Sequence, residues 1–344
     1  MVSDEIKYFL LNACNKDKDN YRNLINGDKT YNNQWSYIVE MMIVTIKSLM
    51  PSTEKVSVEI DYNRLNKEMD LWINYRHGTN VSLKNIMFRR DSKIYWSQQD
   101  ISIYGRIFII TYVNKNYGAV EREVIKNILY TTGNISQMME GILLSRFLFI
   151  IFKGEIDVNK IIDELKQYTI YLSKEDMVKK YKKYFRFETD TYDGNYTLDF
   201  ERNKINALNI FHGMKDRLGL DILRRCIDIM TNNLCVENEK NYFVYGFYGF
   251  VKREFIQNID IKDYDFIESL CDYLIKLKKG RIDPNALSIN SYEIPDVFEF
   301  KEKQRFKHSL LGECKVIKRN DEGEFILSFI KNKTGTYRFF KKTP

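Results

Sequence analysis

Trp35-Ser36-Tyr37-Ile38-Val39-Glu40-Met41-Met42-Ile43-Val44-Thr45-Ile46-Lys47-Ser48-Leu49 is apolar almost all the way round a helical wheel. A helix with so little polar face belongs in a core. The stretch therefore predicts a central helix over 35–50, stopped by Pro51. Working outward, residues 3–14 set Ile6, Phe9, Leu10 and Cys14 on one side, and 61–75 repeat Leu65, Met69, Trp72 and Ile73 at helical spacing. Val120, Val124, Ile125, Ile128 and Leu129 give 119–130 a helical face, and 136–152 is again apolar on nearly all sides. Asp157 reads as the N-cap of a helix over 158–171, and Ser173 with Asp176 resembles a capping box before 177–185. Further helices are expected over 203–213, 218–234, 243–257 and 264–279, with 15–33 and 187–200 as loops and 81–100 mixed.

Composition supports a helical body. Four prolines and 16 glycines in 344 residues are too few breakers for a turn-rich β architecture, and 44% hydrophobic residues suffice for a full core. The cysteines at 14, 226, 235, 271 and 314 form no CxxC pair and are odd in number, which argues against a zinc site or a disulfide framework. A reducing cytoplasm is the expected location, and Met1-Val2-Ser3-Asp4-Glu5 lacks a signal-peptide pattern. The apolar run 142–152, interrupted by Ser145 and Arg146, is shorter than the ~20 residues that cross a bilayer, so a core helix and no membrane are expected.

After Gly280 the pattern changes. Pro284 and Pro295 punctuate a connecting segment, 281–312, and three period-two runs follow at 313–319, 324–331 and 336–341. Asn320-Asp321-Glu322-Gly323 and Asn332-Lys333-Thr334-Gly335 separate them at hairpin length, which predicts a three-stranded antiparallel appendage over 313–344. The charge is concentrated here: residues 301–344 carry 12 Lys+Arg and 5 Asp+Glu, a net +7, and the other 42 basic and 42 acidic residues cancel. Lys315, Lys318, Arg319, Lys333 and Arg338, with Tyr337 among them, make a candidate nucleic-acid surface. The competing reading is edge protection, since lysines keep exposed strands from pairing.

Local catalytic motifs are lacking. His77, His212 and His308 include no pair at metal-binding helical spacing. The acidic cluster Glu188, Asp190, Asp193, Asp199 and Glu201 does not fit the register of a calcium loop. No Walker loop, GxGxxG or GxSxG occurs.

In the order of its landmarks the body resembles the ADP-ribosylglycohydrolase family, an all-α fold with a two-metal site. Trp35-Ser36-Tyr37-Ile38-Val39 stands where that family opens a helix with Thr-Asp-Asp-Thr, often after a Trp, so Tyr37 and Ile38 replace its two metal-binding carboxylates. Met41 and Ser48-Leu49 match the rest of that helix, and 61–72 with Trp72 and Gly78 is similar to the next. Tyr104-Gly105-Arg106-Ile107 lies where the family has a Gly-rich segment ending in Met-Arg. Thr132-Gly133-Asn134 is like its Thr-His turn, with Gly133 in place of the His. For the family's other carboxylates only Gly27-Asp28, Glu237 and Glu239 offer themselves.

The resemblance spans residues 30–260 and implies a mainly α, ADP-ribosylglycohydrolase-like helical bundle over 1–280, followed by the small β meander. With the metal ligands replaced, it implies a binding or regulatory pseudoenzyme without a cofactor. Its ligand would be ADP-ribose, a related nucleotide or a protein partner covering the old cleft. The implied site comprises Trp35, stacking on a planar base, Ser36, Tyr37, Arg106, meeting a phosphate, and Asn134. Two alternatives stay open: an active glycohydrolase with rearranged ligands and magnesium, and a nucleic-acid-binding module in the basic tail.

Overall fold

The computed structural model describes residues 5–24, 33–52, 56–214, 219–232, 236, 238–280, 294–332 and 335–342. Gly27-Asp28, Lys333, Cys235, Glu237 and Pro284 lie outside the described residues. Among those described, fourteen α-helices precede a four-stranded antiparallel sheet, and a two-stranded ribbon is inserted after the second helix.

The first helix, α1 (Glu5–Leu24), continues ten residues beyond the expected end at 14. Its second half reads as loop because Asn15, Asp17 and Lys18 are polar, yet all three are buried. Their partners come from far along the chain: Lys18 Nζ donates to the Asp260 carbonyl at 2.9 Å and Asp17 binds Ser36. The central helix forms as expected, as α2 (Tyr37–Ser48), with the Ser36 hydroxyl accepting from Ile38 N at 3.1 Å as its N-cap. It ends before Pro51, which closes strand β1 (Leu49–Pro51), paired antiparallel with β2 (Val58–Ile60).

Asp61 caps α3 (Tyr62–Trp72). The mixed region holds α4 (Val81–Lys84), a π-helical turn (Asn85–Arg89) and α5 (Ser92–Ser97). Then comes α6 (Ile103–Val113), a helix not foreseen, in which every residue is buried. A wholly buried run has no polar face and so no helical period to detect. It is followed by α7 (Tyr117–Thr131), α8 (Ile135–Phe152), α9 (Val158–Tyr171) and α10 (Lys174–Tyr181). By length and composition α8 could cross a membrane, but 78% of it is buried within the fold, against α6, α7, α9, α11 (Tyr196–Phe211) and α12 (Asp221–Met230). The start of α11 corrects the loop expected to 200. Tyr196 and Phe200 are drawn into the core, Tyr196 meeting Trp96 edge-on at 5.7 Å between centroids.

The body closes with α13 (Tyr242–Lys252) and α14 (Tyr264–Lys279). α13 lies hard against α1, and glycine permits it: a Cβ on Gly246 would stand 2.8 Å from the Phe9 carbonyl oxygen, and one on Gly249 2.0 Å from Asn12 Nδ2. That Asn12 amide donates to the carbonyls of Tyr8 at 2.8 Å and Glu254 at 2.9 Å, stitching the helices together. Gly246→Val should therefore cost about 1–3 kcal/mol or more, read as a lower urea midpoint. An unchanged midpoint would refute this close packing.

The C-terminal sheet has four strands rather than three, in the order β3 (Arg305–His308), β4 (Gly312–Asp321), β5 (Phe325–Asn332), β6 (Gly335–Lys342). β3 falls in the expected connecting segment and is too short to show an alternation by itself. Its His308 is turned inward, where Nδ1 accepts from the backbone N–H groups of Leu310 at 3.1 Å and Leu311 at 3.2 Å and fixes the β3–β4 turn. Burial, with the nearby Lys47 charge, lowers this imidazole to about 4 and keeps it neutral. The inner face of the sheet (Phe306, Val316, Ile330, Phe339) packs with Leu71 of α3, and Tyr75 stands between Tyr337 and Phe339 at 5.3 and 6.4 Å.

Candidate functional site: a cleft between the helices and the sheet

A cleft of about 1700 Å³ opens where β6 and the β3–β4 turn face α2, α3 and α14. It is larger than the roughly 300–1,000 Å³ of common small-ligand sites. Its floor is built from Glu40 and His77. Glu40 lies in the first turn of α2 and is only 5% exposed, so its carboxylate must be paired to remain there. Three donors surround it: Trp72 Nε1 at 2.7 Å and His77 N at 3.1 Å on Oε2, and His77 Nδ1 at 2.6 Å from Oε1. The backbone joins in, since Tyr37 N donates to the His77 carbonyl at 2.9 Å. A carboxylate-oriented imidazole at the cleft floor can hold or move a proton.

Behind this pair lies a second buried carboxylate. Asp17 binds the Ser36 hydroxyl and backbone N–H, both at 2.7 Å. Burial pushes Asp17 up to about 7, aided by the Glu40 charge and opposed by the Ser36 bonds.

The walls are aromatic and basic. The π-helical turn presents Phe88, 57% exposed, with the Arg76 guanidinium 5.7 Å from its ring centroid, and Lys84 precedes the turn. Phe266 and Tyr273 come from α14, and Arg338 and Phe340 from β6. Lys47 is neutralised by Glu68 at 2.5 Å, which Arg64 also approaches at 3.7 Å. Arg76, Lys84 and Arg338 form no ion pair with any described residue and Lys262 adjoins Asp263, so basic groups outnumber the lining carboxylates Glu40, Asp263 and Asp265.

Of the five residues implied as a ligand site, only Trp35 lines this cleft, and at 5% exposure it serves chiefly the core; Tyr337 and Arg338, singled out for nucleic acid, line it as well. Ser36 is taken up by its cap and by Asp17. Tyr37 is bonded to the Asn80 side chain, and burial together with Asp100 pushes its hydroxyl up. Arg106 is turned inward, not toward a phosphate: it is buried against Asp100 and reaches Thr131 Oγ1 at 3.3 Å. Asn134 caps α8, accepting from Gln137 N at 2.9 Å. Tyr37 and Arg106 thus face Asp100 and Asn134 serves its helix, instead of the cleft. Glu40, Arg76, Lys84 and Lys262 were not among the residues the sequence pointed to. Glu40 stood inside the decisive stretch as its one acidic residue, and that was the available signal.

The tail residues divide by register. Lys315, Lys318 and Arg338 are exposed on the sheet's outer face. Arg319 and Tyr337 belong to the other side: Arg319 N donates to Glu302 at 2.9 Å and Tyr337 packs on Tyr75. Among the described residues no group of three or more His, Cys, Asp or Glu is placed to hold a metal ion. No protein-family model, curated protein or solved structure matches the chain.

Proposed function

We propose that the cleft binds a phosphorylated ligand carrying a planar ring, of the nucleotide or ADP-ribose class. The observation that carries this reading is the rim, where Lys262 and the cations of Arg76, Lys84 and Arg338, which have no ion-pair partner among the described residues, stand among Phe88, Phe266, Tyr273 and Phe340. Cations complement phosphates and exposed rings stack on bases, while the volume suits a dinucleotide-sized molecule. The likeness of residues 30–260 to ADP-ribosylglycohydrolases is part of the same proposal and favours ADP-ribose among such ligands.

The test is isothermal titration of the full chain with ADP-ribose and with ADP, with and without magnesium. Binding is expected without magnesium, and Lys84→Ala and Arg338→Ala should each weaken it by about tenfold or more, the loss of one charged hydrogen bond. Absence of binding, or binding that neither variant weakens, would overturn the reading.

A further inference from the structure

The four-stranded sheet packs one face on the body and turns the other outward, and the two faces differ in chemistry. Directly opposed residues on neighbouring strands share a face. Lys318, Phe329 and Arg338 form one outward row across β4, β5 and β6, and Asn320, Leu327 and Phe340 form the next. On the other side of Phe329, Arg305, Lys315 and Lys331 align across β3, β4 and β5. Phe325 closes the far end opposite Lys342. Phe340 is 56% exposed and Phe325 37%, with Leu327 and Phe329 half-buried. The result is an apolar strip along β5, flanked by cations.

Arg305, Lys315, Lys318, Lys331 and Arg338 make no ion pair with any described residue; Lys341, which alternates to the other side of β6, is the one that pairs, with Asp296 at 2.6 Å. Edge protection accounts for charge on the outer strands β3 and β6. It does not reach Lys315 and Lys331, which sit where β4 and β5 have a partner strand on both sides, whereas Lys318 lies past the end of β3. Lys315 and Lys331 even oppose each other directly, a placement that costs stability.

We infer that this face binds single-stranded nucleic acid. Phosphates would meet the flanking cations while unpaired bases stack on Phe325, Phe329 and Phe340, the combination by which four-stranded sheets and charged grooves hold single strands. A duplex keeps its base faces stacked and could not use the rings. The inference does not rest on the cleft reading, although Arg338 and Phe340 border both surfaces.

The test uses residues that do not line the cleft. Fluorescence anisotropy with labelled oligo-dT and oligo-U of about 15 nucleotides, from about 50 to 200 mM salt, should give a log–log slope of about −3 for four or five phosphate contacts. Lys318→Glu combined with Lys331→Glu should weaken binding more than about tenfold and flatten the slope by about 1.4. Phe329→Ala should weaken it about fivefold or more with the slope unchanged. Circular dichroism melting checks that each variant folds, and titration with ADP-ribose checks the cleft separately. No binding at low salt would overturn the inference, as would variants that bind like the parent. Tighter binding of a duplex of equal length would do so too. So would equal binding to anionic phosphatidylserine vesicles with Phe329→Ala without effect, which would mark a general polyanion surface.

Discussion

Asp100→Ala is expected to lower the unfolding free energy by about 3–5 kcal/mol, because it leaves the Arg106 charge buried without its partner. Asp100 is fully buried just before α6. Its Oδ1 accepts from Asn80 Nδ2 at 2.7 Å, Ser102 N at 3.0 Å and Ser102 Oγ at 2.7 Å, and its Oδ2 pairs with Arg106. Its backbone is clasped by Gln137, which accepts from Asp100 N at 2.7 Å and donates to its carbonyl at 2.8 Å. The carboxylate thus ties the α3–α4 loop to α6, and the backbone of the same residue ties both to the start of α8. Urea unfolding of Asp100→Ala, Arg106→Met and the double variant gives the decisive comparison. The double variant should lose much less than the sum of the singles, with a coupling above about 1 kcal/mol. Strict additivity would show that the pair does not act as a unit.

The second large effect depends on pH. Asp17 is raised by burial from 3.8 to about 7, so the folded state holds its proton where the unfolded chain has released it. The sign follows: the stability from this group is full below about pH 4, is lost as pH rises to about 7, and is flat above. The whole span is about 4 kcal/mol for a shift of this size. Asp17→Asn cannot ionise. Relative to the parent, the variant should gain stability between pH 4 and pH 8 by up to that amount. Urea midpoints of both proteins at four pH values in that window would show it, and parallel pH profiles would refute it. The effect bears on the cleft, since Ser36, which Asp17 holds, caps the helix that carries Glu40.

Much of the architecture could be read from sequence because its causes are local. Asp61, Asp157 and Ser173 cap α3, α9 and α10 through their own side chains, accepting from N–H groups two or three residues on. The hairpins of β4–β5 and β5–β6 follow from alternation between polar linkers, and Gly323 adopts the positive φ of 77° that its turn requires. α2 and α8 were recognisable because a helix that is apolar all round has to be buried. The limits are equally specific. α6 has no polar face to mark its period, and β3 needs its partner strand to be a strand at all. The buried half of α1 is polar and finds its hydrogen bonds outside the helix, Asp17 at Ser36 and Lys18 at Asp260, more than 200 residues away.

The candidate site shows the same division. By itself the sequence determined that Tyr37–Ser48 would be a core helix, that the tail would be a basic antiparallel sheet and that Arg106 and Asn134 were worth watching. Tertiary structure alone decided which way they point. Asp100, six residues from Arg106, draws its guanidinium inward. Trp72 and His77 meet Glu40 from 32 and 37 residues away, and Glu40 with His77 makes the floor of a cleft. The bulge between Val316 and Lys318 sends Lys318 to the outer face and Arg319 to the inner one. Caps and alternation act over a few residues, whereas the pairing of a buried charge is settled by whichever partner the packed fold brings within hydrogen-bonding distance.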